Sequence, residues 1–220
     1  MNILYEDNHL IALNKRPGEI VQGDKTGDEC LLDTLKHYIK ERDSKQGEVY
    51  IGLPHRIDRP TSGAVVFAKT SKALSRINRL IQDHEFHKTY WAIVKNKPPK
   101  EDDHLIHWLK KNEKQNKSYV VNAETVGAVR AELIYKIKSV SDHYFLLEIQ
   151  LLTGRHHQIR AQLSAIGSPI AGDMKYGFPR PLPDASITLH ARKVEFVHPV
   201  QQQSLSIVAP VPNTHLWKIW

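Results

Sequence analysis

Asp58 stands in the stretch Leu53-Pro54-His55-Arg56-Ile57-Asp58-Arg59-Pro60-Thr61-Ser62-Gly63. A carboxylate flanked by the guanidiniums of Arg56 and Arg59 is held in its charged form. It is then available as a nucleophile or a base. Two prolines and a glycine argue for a loop rather than regular structure. Taken by itself, an aspartate in such a loop is more often a turn or capping residue. The second dense cluster is Thr153-Gly154-Arg155-His156-His157-Gln158-Ile159-Arg160. It crowds polar and cationic groups into a strand-to-helix junction. Backbone N–H groups at the helix start, with Arg155 and Arg160, could hold phosphates or a carboxylate. The plainer reading is a helix whose charged face is solvated.

The 13 histidines invite a metal site. His156 and His157 are adjacent, however, and adjacent side chains diverge on a helix. No His-Glu-x-x-His pattern occurs, and few carboxylates lie near His55 or His84 to His87, so no catalytic metal is expected. Cys30 is the single cysteine, which excludes an intrachain disulfide and a cysteine-based zinc site. Ser62 and Ser164 lack a Gly-x-Ser-x-Gly elbow, and neither a P-loop nor a dinucleotide fingerprint is present.

These residues must be positioned by a chain of 220 residues, 40% hydrophobic and 25% charged, which suffices for one well-buried core. One globular domain over 1–220 is expected. The net charge of +7 favours a polyanionic partner, although solubility alone could explain it. No basic n-region or long apolar run marks a secretory signal or a membrane span, so the chain reads as cytoplasmic.

The elements follow from periodicity. Leu10 to Lys15 reads as a strand, closed by the turn Arg16-Pro17-Gly18. Leu31, Leu32, Leu35, Tyr38 and Ile39 have helical spacing, with Asp28 as the expected N-cap. Ala64 to Ala68 reads as a strand. Ser71 opens a helix with Leu74, Ile77, Leu80 and Ile81 on one stripe, and Lys72, Arg76 and Arg79 largely off it. Thr89 to Val94 is a strand. Residues 96–130 are irregular and rich in Lys and Asn, and read as a lobe or flexible insertion. Strands follow at Ala131 to Lys138 and Tyr144 to Leu151. A helix runs from Gly154-Arg155 to Gly167, with Ile159, Leu163 and Ile166 on its stripe. Strands near Ile187 to Phe196 and Ser204 to Val208 close the chain. The mixture without regular alternation predicts an α+β fold with a mostly antiparallel sheet flanked by helices and loops.

With these residues in view, the chain resembles the RluA family of pseudouridine synthases. His55-Arg56-Ile57-Asp58-Arg59-Pro60-Thr61-Ser62-Gly63 is similar to that family's catalytic loop, with Ile57 in place of its leucine. Thr153 to Arg160 is similar to its Thr-Gly-Arg-x-His-Gln-Ile-Arg motif, and Gly167-Ser168-Pro169-Ile170-Ala171-Gly172-Asp173 continues in the family style. Lys88-Thr89-Tyr90 resembles the strand bearing its active-site tyrosine. Asn14-Lys15-Arg16-Pro17-Gly18 resembles its first motif, and Leu189-His190-Ala191 its last. The matches come in the family's order from about Asn14 to Pro199.

The resemblance implies a pseudouridine synthase fold with an active-site cleft, and the catalytic domain alone, without the small RNA-binding S4 domain that many relatives carry. It implies an isomerase that turns uridine into pseudouridine in ribosomal or transfer RNA, with no cofactor and no metal. Asp58 would be the catalytic carboxylate, adding covalently to the nucleoside or abstracting a ribose proton. Arg160 would pair with it, and Tyr90 would contact the uracil. Arg56 would fill the space of the flipped nucleotide or hold its phosphate. His55, Arg59, Arg155 and Gln158 complete the expected substrate and RNA contacts. Lys72, Arg76, Arg79 and the stretch Lys110 to Lys117 are further candidates for the RNA backbone. A monomer is the default. The alternative is a catalytically inactive RNA-binding protein of the same fold. A metal-dependent hydrolase is the more distant one.

Overall fold

In the computed structural model, residues 1–23, 27–214 and 216–220 are described. In chain order the strands and helices are β1 (Ile3–Glu6), β2 (Leu10–Lys15), α1 (Leu31–Arg42), β3 (Ser62–Ala68), α2 (Ser71–Gln82), β4 (His87–Val94), β5 (Asp102–Asn112), β6 (Lys117–Val121), β7 (Val129–Val140), β8 (Phe145–Leu151), α3 (Gln158–Ala165), β9 (Leu189–Val197) and β10 (Ser204–Val208). A short 3-10 helix covers Met174–Tyr176. The expected α+β class with a mostly antiparallel sheet is what these elements form. Among the described residues no helix is long and apolar enough to cross a membrane.

The chain folds into two compact units. The first comprises Met1–Phe86 and Ala191–Val211. Here β2 pairs antiparallel with both β1 and β3, and β10 pairs antiparallel with β9. The runs Leu10-Ile11-Ala12-Leu13 and Ala64-Val65-Val66-Phe67-Ala68 are apolar at every position, and all of these residues are buried. A strand apolar on both sides is covered on both faces. Leu10, Ala12, Ala64, Val66, Ala68, Phe86, Val194, Phe196 and Ile207 make one cluster, onto which α2 packs Ala73 and Ile77. Burying a side chain such as Ile77 contributes about 1.5–3 kcal/mol. The Thr70 hydroxyl accepts from Ala73 N–H at 3.1 Å and fixes where α2 begins. The β2–β3 register sets Lys15 opposite Gly63, so the last residue of one strand faces the end of the Asp58 loop.

The second unit comprises His87–His190 and Pro212–Trp220. Its strands run β4-β8-β7-β5-β6, all neighbours antiparallel. Helix α3 lies against β5, β6 and the 3-10 helix. Leu109, Ala131, Ala161 and Tyr176 form a small buried cluster there.

Four expectations need correction. Residues 96–130 are not an irregular lobe, because β5 and β6 form a hairpin paired to β7. Leu105 and Leu109 face inward, but Ile106 and Trp108 alternate with them on the other face. Apolar residues on both faces erased the period-two signal. Helix α1 starts at Leu31 with Cys30 at the N-cap, whereas Asp28 lies outside it and pairs with Arg59. Strand β1 went unread because four residues carry too little periodicity. Helix α3 is eight residues, shorter than expected, and six of them are buried.

Gly63 ties the first unit together at close quarters. Its φ is +113°, and a Cβ there would lie 2.3 Å from the Ala191 carbonyl oxygen and 2.6 Å from its nitrogen. Neither backbone atom can swing away, and L-residues avoid this φ. Gly63→Ala is expected to cost more than about 3 kcal/mol. Urea unfolding of the purified variant checks this, through a lower midpoint at unchanged slope.

Candidate active site

In the first unit, the loop bearing Asp58 is pinned on both sides of the aspartate. The Thr61 N–H donates to the Asp58 carbonyl at 3.0 Å and closes a turn. The Gly18 N–H donates to the Arg59 carbonyl at 2.9 Å. The Lys15 ammonium donates to the carbonyls of Arg16, Arg59 and Thr61. Ile57 is buried and anchors the loop from below. The result is a half-buried Asp58 between exposed Arg56 and Arg59. Arg59 reaches Asp28 at 2.8 Å. His55 Nε2 accepts from the Val66 N–H at 3.0 Å, and its ring lies 5.2 Å from that of Phe86. His55 is thereby fastened to the core as well as being a candidate contact.

In the second unit, Tyr90 sits on β4 opposite Ile149 and is 6% exposed. Lys88 is two residues earlier, on the same side of the strand. Burial lowers its ammonium pKa. A Cβ at Gly154 would lie 3.5 Å from Lys88 Nζ, an ordinary contact distance, which places the ammonium beside the Thr153-Gly154-Arg155 turn.

Arg160 lies on α3 and is 5% exposed. Its Nε and Nη2 donate to the two oxygens of Asp173 at 2.7 and 2.9 Å. This bidentate geometry is the strong form of a guanidinium–carboxylate contact. Asp173 itself is 1% exposed. The cluster does hold a carboxylate, as its composition suggested, and one such carboxylate is the protein's own. Arg160 Cζ also lies 5.0 Å from the centre of the Tyr176 ring, within cation–π range.

The helix start is reached through His157, whose backbone is left-handed at φ 52°, ψ 27°. That turn stacks His156 on His157, with ring centres 3.8 Å apart and planes at 21°. The expected divergence of the two rings is therefore wrong, because His157 precedes the helix rather than sitting in it. The Tyr176 hydroxyl accepts from the Ser118 N–H at 2.9 Å and lies 3.0 Å from His157 Nδ1. His156 Nδ1 lies 2.9 Å from the Ser118 hydroxyl, and His156 Nε2 lies 3.1 Å from Asn116 Oδ1. The network fastens the β5–β6 hairpin to the start of α3. Burial, followed by the charges of Arg160 and His156, lowers the His157 pKa to about 2.

Gln158 is 3% exposed, so the solvated-face reading of this helix fails. Its amide donates to the Glu132 carbonyl and accepts from the Thr153 hydroxyl and the Arg155 N–H. With both ends of the amide engaged, Gln158 links the motif's turn to β7. Arg155 is exposed and its Nε donates to the Arg130 carbonyl. Around the hairpin tip, Lys110, Lys111 and Lys114 are exposed, and Lys117 lies over the rings of Tyr119 and Tyr176. In the first unit Arg76 donates to the Pro199 carbonyl and Arg79 approaches Asp83. Among the described residues, no three His, Cys, Asp or Glu side chains gather as a metal-binding group.

Sequence reasoning passed over Lys15, Asp173 and Tyr176 as individual residues. Asp173 and Lys15 sat inside stretches already noted. Apart from Arg16, their partners lie 13 or more residues away, beyond what local spacing can reveal.

Two outcomes follow. Asp173→Ala leaves the Arg160 guanidinium buried beside a missing carboxylate and is expected to cost about 3–5 kcal/mol. Calorimetry should show Tm lowered by roughly 10 °C. His157 behaves as a buried neutral base. Unfolded, it takes a proton near pH 6.5, whereas folded it does not until about pH 2. Stability is therefore lost as pH falls through this window. Melts between about pH 7 and 4.5 should show that loss, and His157→Gln should flatten it.

Three comparisons bear on the whole. A family model described as RNA pseudouridylate synthase matches residues 9–165, a span that includes Asp58, Tyr90 and Arg160. The tRNA pseudouridine synthase C of Vibrio cholerae is 32% identical over 95% of this chain and 90% of its own length. The ribosomal large subunit pseudouridine synthase C of Buchnera aphidicola is 34% identical over 96% of this chain and 67% of its own. Among solved structures, human RNA pseudouridylate synthase domain containing 4 superposes with a TM-score of 0.80 at 26% identity, covering 96% of this chain and 89% of that one. Since the family model spans well over half of the chain and the two bacterial relatives run along nearly all of it, the chain belongs to the RNA pseudouridylate synthases of the RluA family and is an isomerase of that kind.

Proposed function

We propose that residues 1–220 act as one catalytic domain that converts uridine to pseudouridine in transfer or ribosomal RNA, with Asp58 as the reacting carboxylate and no cofactor. The reaction breaks the N1–C1′ bond, turns the base and joins C5 to C1′, and the C5 proton leaves. Nothing is oxidised or hydrolysed, so side chains alone can supply what the chemistry requires. A carboxylate acts at the glycosidic bond, either by adding to the nucleoside or by taking a ribose proton. Tyr90 meets the uracil, and Arg160 supplies the guanidinium that the family motif brings to the reaction.

The observation that carries this reading is the Asp58 loop. Its sequence matches the family's catalytic motif, and its backbone is held by hydrogen bonds on both sides of a half-buried carboxylate. Such restraint is what a reacting group needs, because misplacement by about 1 Å can cost 100-fold in rate. The substrate uridine must leave its stack, at a cost of a few kcal/mol. Arg56, exposed beside Asp58, fits the task of holding the flipped nucleotide. Arg59, His55, Arg155 and the lysines of the β5–β6 hairpin extend the contact to the backbone phosphates. The bacterial relatives' names supply the two RNA classes.

The test is pseudouridine mapping across total RNA from cells with and without the gene, with rescue by wild type and by Asp58→Asn. One or more sites should vanish and return only with wild type. In vitro, tritium release from C5-labelled uridine should fall at least ~1000-fold in Asp58→Asn and persist for wild type in excess chelator. Rescue by Asp58→Asn overturns the assignment of Asp58, and inhibition by chelator overturns the cofactor-free reading.

A further inference from the structure

Helix α3 covers one face of the second unit's sheet, where Ala161 meets Leu109 and Ala131. Tyr90 belongs to that covered face, through the rung Tyr90, Ile149, Tyr135. Side chains alternate across a strand. His104, Ile106, Trp108 and Lys110 of β5 therefore stand on the opposite face. The β5–β6 register sets Trp108 opposite Val121 and Lys110 opposite Tyr119. Trp108 and Tyr119 are thus diagonal neighbours on this face, about 7–8 Å apart. Tyr119 is 40% exposed and Trp108 half-buried, and Ile106 beside them is exposed.

The two ends of this face differ in how their charges are met. Over β7 and β8, Lys136 and Lys138 pair with Glu148, and Arg130 and His104 pair with Glu132. The Trp91 ring there lies under Lys138. Cross-strand pairs of this kind are how a solvated sheet face settles. At the hairpin the charge is one-sided: Lys110, Lys111, Lys114 and Lys117 stand against Glu113, which pairs with Lys111. The imbalance extends to the unit, with 16 Lys and Arg against 10 Asp and Glu, whereas the first unit has 15 against 14.

The exposed ring among these lysines is held in place. The Tyr119 hydroxyl donates to Gln115 Oε1 at 2.6 Å, and Lys117 Nζ lies 5.0 Å from the ring centre. Single-stranded RNA is bound by aromatic rings on which bases stack and by cations that meet its phosphates. Both are present here, on adjacent strands. A protein partner fits this patch less well, because lysine is depleted from the cores of protein–protein interfaces.

We propose that the open face of the β5–β6 hairpin is a second RNA-binding surface. One base of a single-stranded segment stacks on Tyr119 and its neighbour on Trp108, while Lys110 and Lys114 meet the phosphates. The surface takes nucleotides outside the reacting uridine. It lies on the sheet face opposite Tyr90, and β6 is four strand spacings, roughly 19 Å, from β4. The proposal rests on the reading of RNA as the substrate and is independent of the role of Asp58.

The experiment is fluorescence anisotropy with a labelled single-stranded oligoadenylate of about 12 nucleotides, which has no uridine to enter the reacting site. Tm is measured for every variant. Tyr119→Leu, which keeps apolar bulk but loses the aromatic face, should bind roughly 5- to 100-fold more weakly than wild type. Tyr119→Phe should bind within about twofold of wild type. Lys110→Gln should bind more weakly and reduce the slope of log affinity against log salt by about 0.7. Ultraviolet cross-linking should join adenosine to Tyr119 or Trp108. At limiting C5-labelled RNA, tritium release by Tyr119→Leu should fall by a factor like that seen in affinity.

An oligoadenylate that does not bind wild type, binds Tyr119→Leu as tightly, or cross-links only elsewhere overturns the proposal. If Tyr119→Leu does not fold, the cross-link and the Lys110→Gln slope decide. A dimer in sedimentation that Ile106→Lys abolishes also overturns it, because a second copy then covers this face. Tritium release keeps the two readings apart. Turnover with an unaffected Tyr119→Leu defeats this surface alone, whereas oligoadenylate binding without any turnover defeats the proposed function alone.

Discussion

A cation withdrawn from water must have its donors met by the protein, and this constraint organises each of the two units. In the first, the Lys15 ammonium is enclosed and answered by three carbonyls. In the second, the Arg160 guanidinium is enclosed and meets both oxygens of Asp173. The desolvation cost of such a group is several kcal/mol, and good geometry is what offsets it. The loops that supply those acceptors are accordingly restrained. Lys15 restrains the segment around Asp58, and Arg160 restrains the segment leading into the 3-10 helix of Met174–Tyr176.

The same logic reaches outward through neutral groups. Tyr176 stands beside Arg160, takes the Ser118 N–H and faces His157. His156 lies on His157 and extends to Ser118 and Asn116. A protonated His157 would set like charge against Arg160, His156 and the nearby lysines Lys175 and Lys111. Burial and these cations keep the ring neutral, and a neutral ring can stack. The β5–β6 hairpin is thus fixed to its unit through hydrogen bonds and a ring stack. The left-handed turn at His157 is the local strain that makes the stack possible.

Family membership explains why these features occur together, and the physical reading explains what each does. On the function proposed above, the chemistry is left to side chains. Rigid placement then matters more than the number of groups. The loop of Asp58 is short, carries two prolines and is tied by hydrogen bonds from Thr61, Gly18 and Lys15. Gly63 lets the chain leave that loop where a side chain would strike Ala191.

Residue types and spacing by themselves determined the α+β class, most of the strands and helices, the loop character around Asp58 and the family. These are local properties, carried by apolar periodicity, by proline and glycine, and by contiguous motifs. Helix α2 and strands β2, β8 and β10 lie close to where periodicity set them. Only the tertiary structure decided that 102–121 is a hairpin, since Ile106 and Trp108 hide the alternation of Leu105 and Leu109. Only it found the burial of Gln158 and Arg160, the stacking of His156 on His157, and the partners Asp173 and Tyr176. Lys15 could be read as part of a motif, but not as a buried cation with three acceptors. Burial and pairing depend on chain segments far apart in sequence, and no window of neighbouring residues contains them.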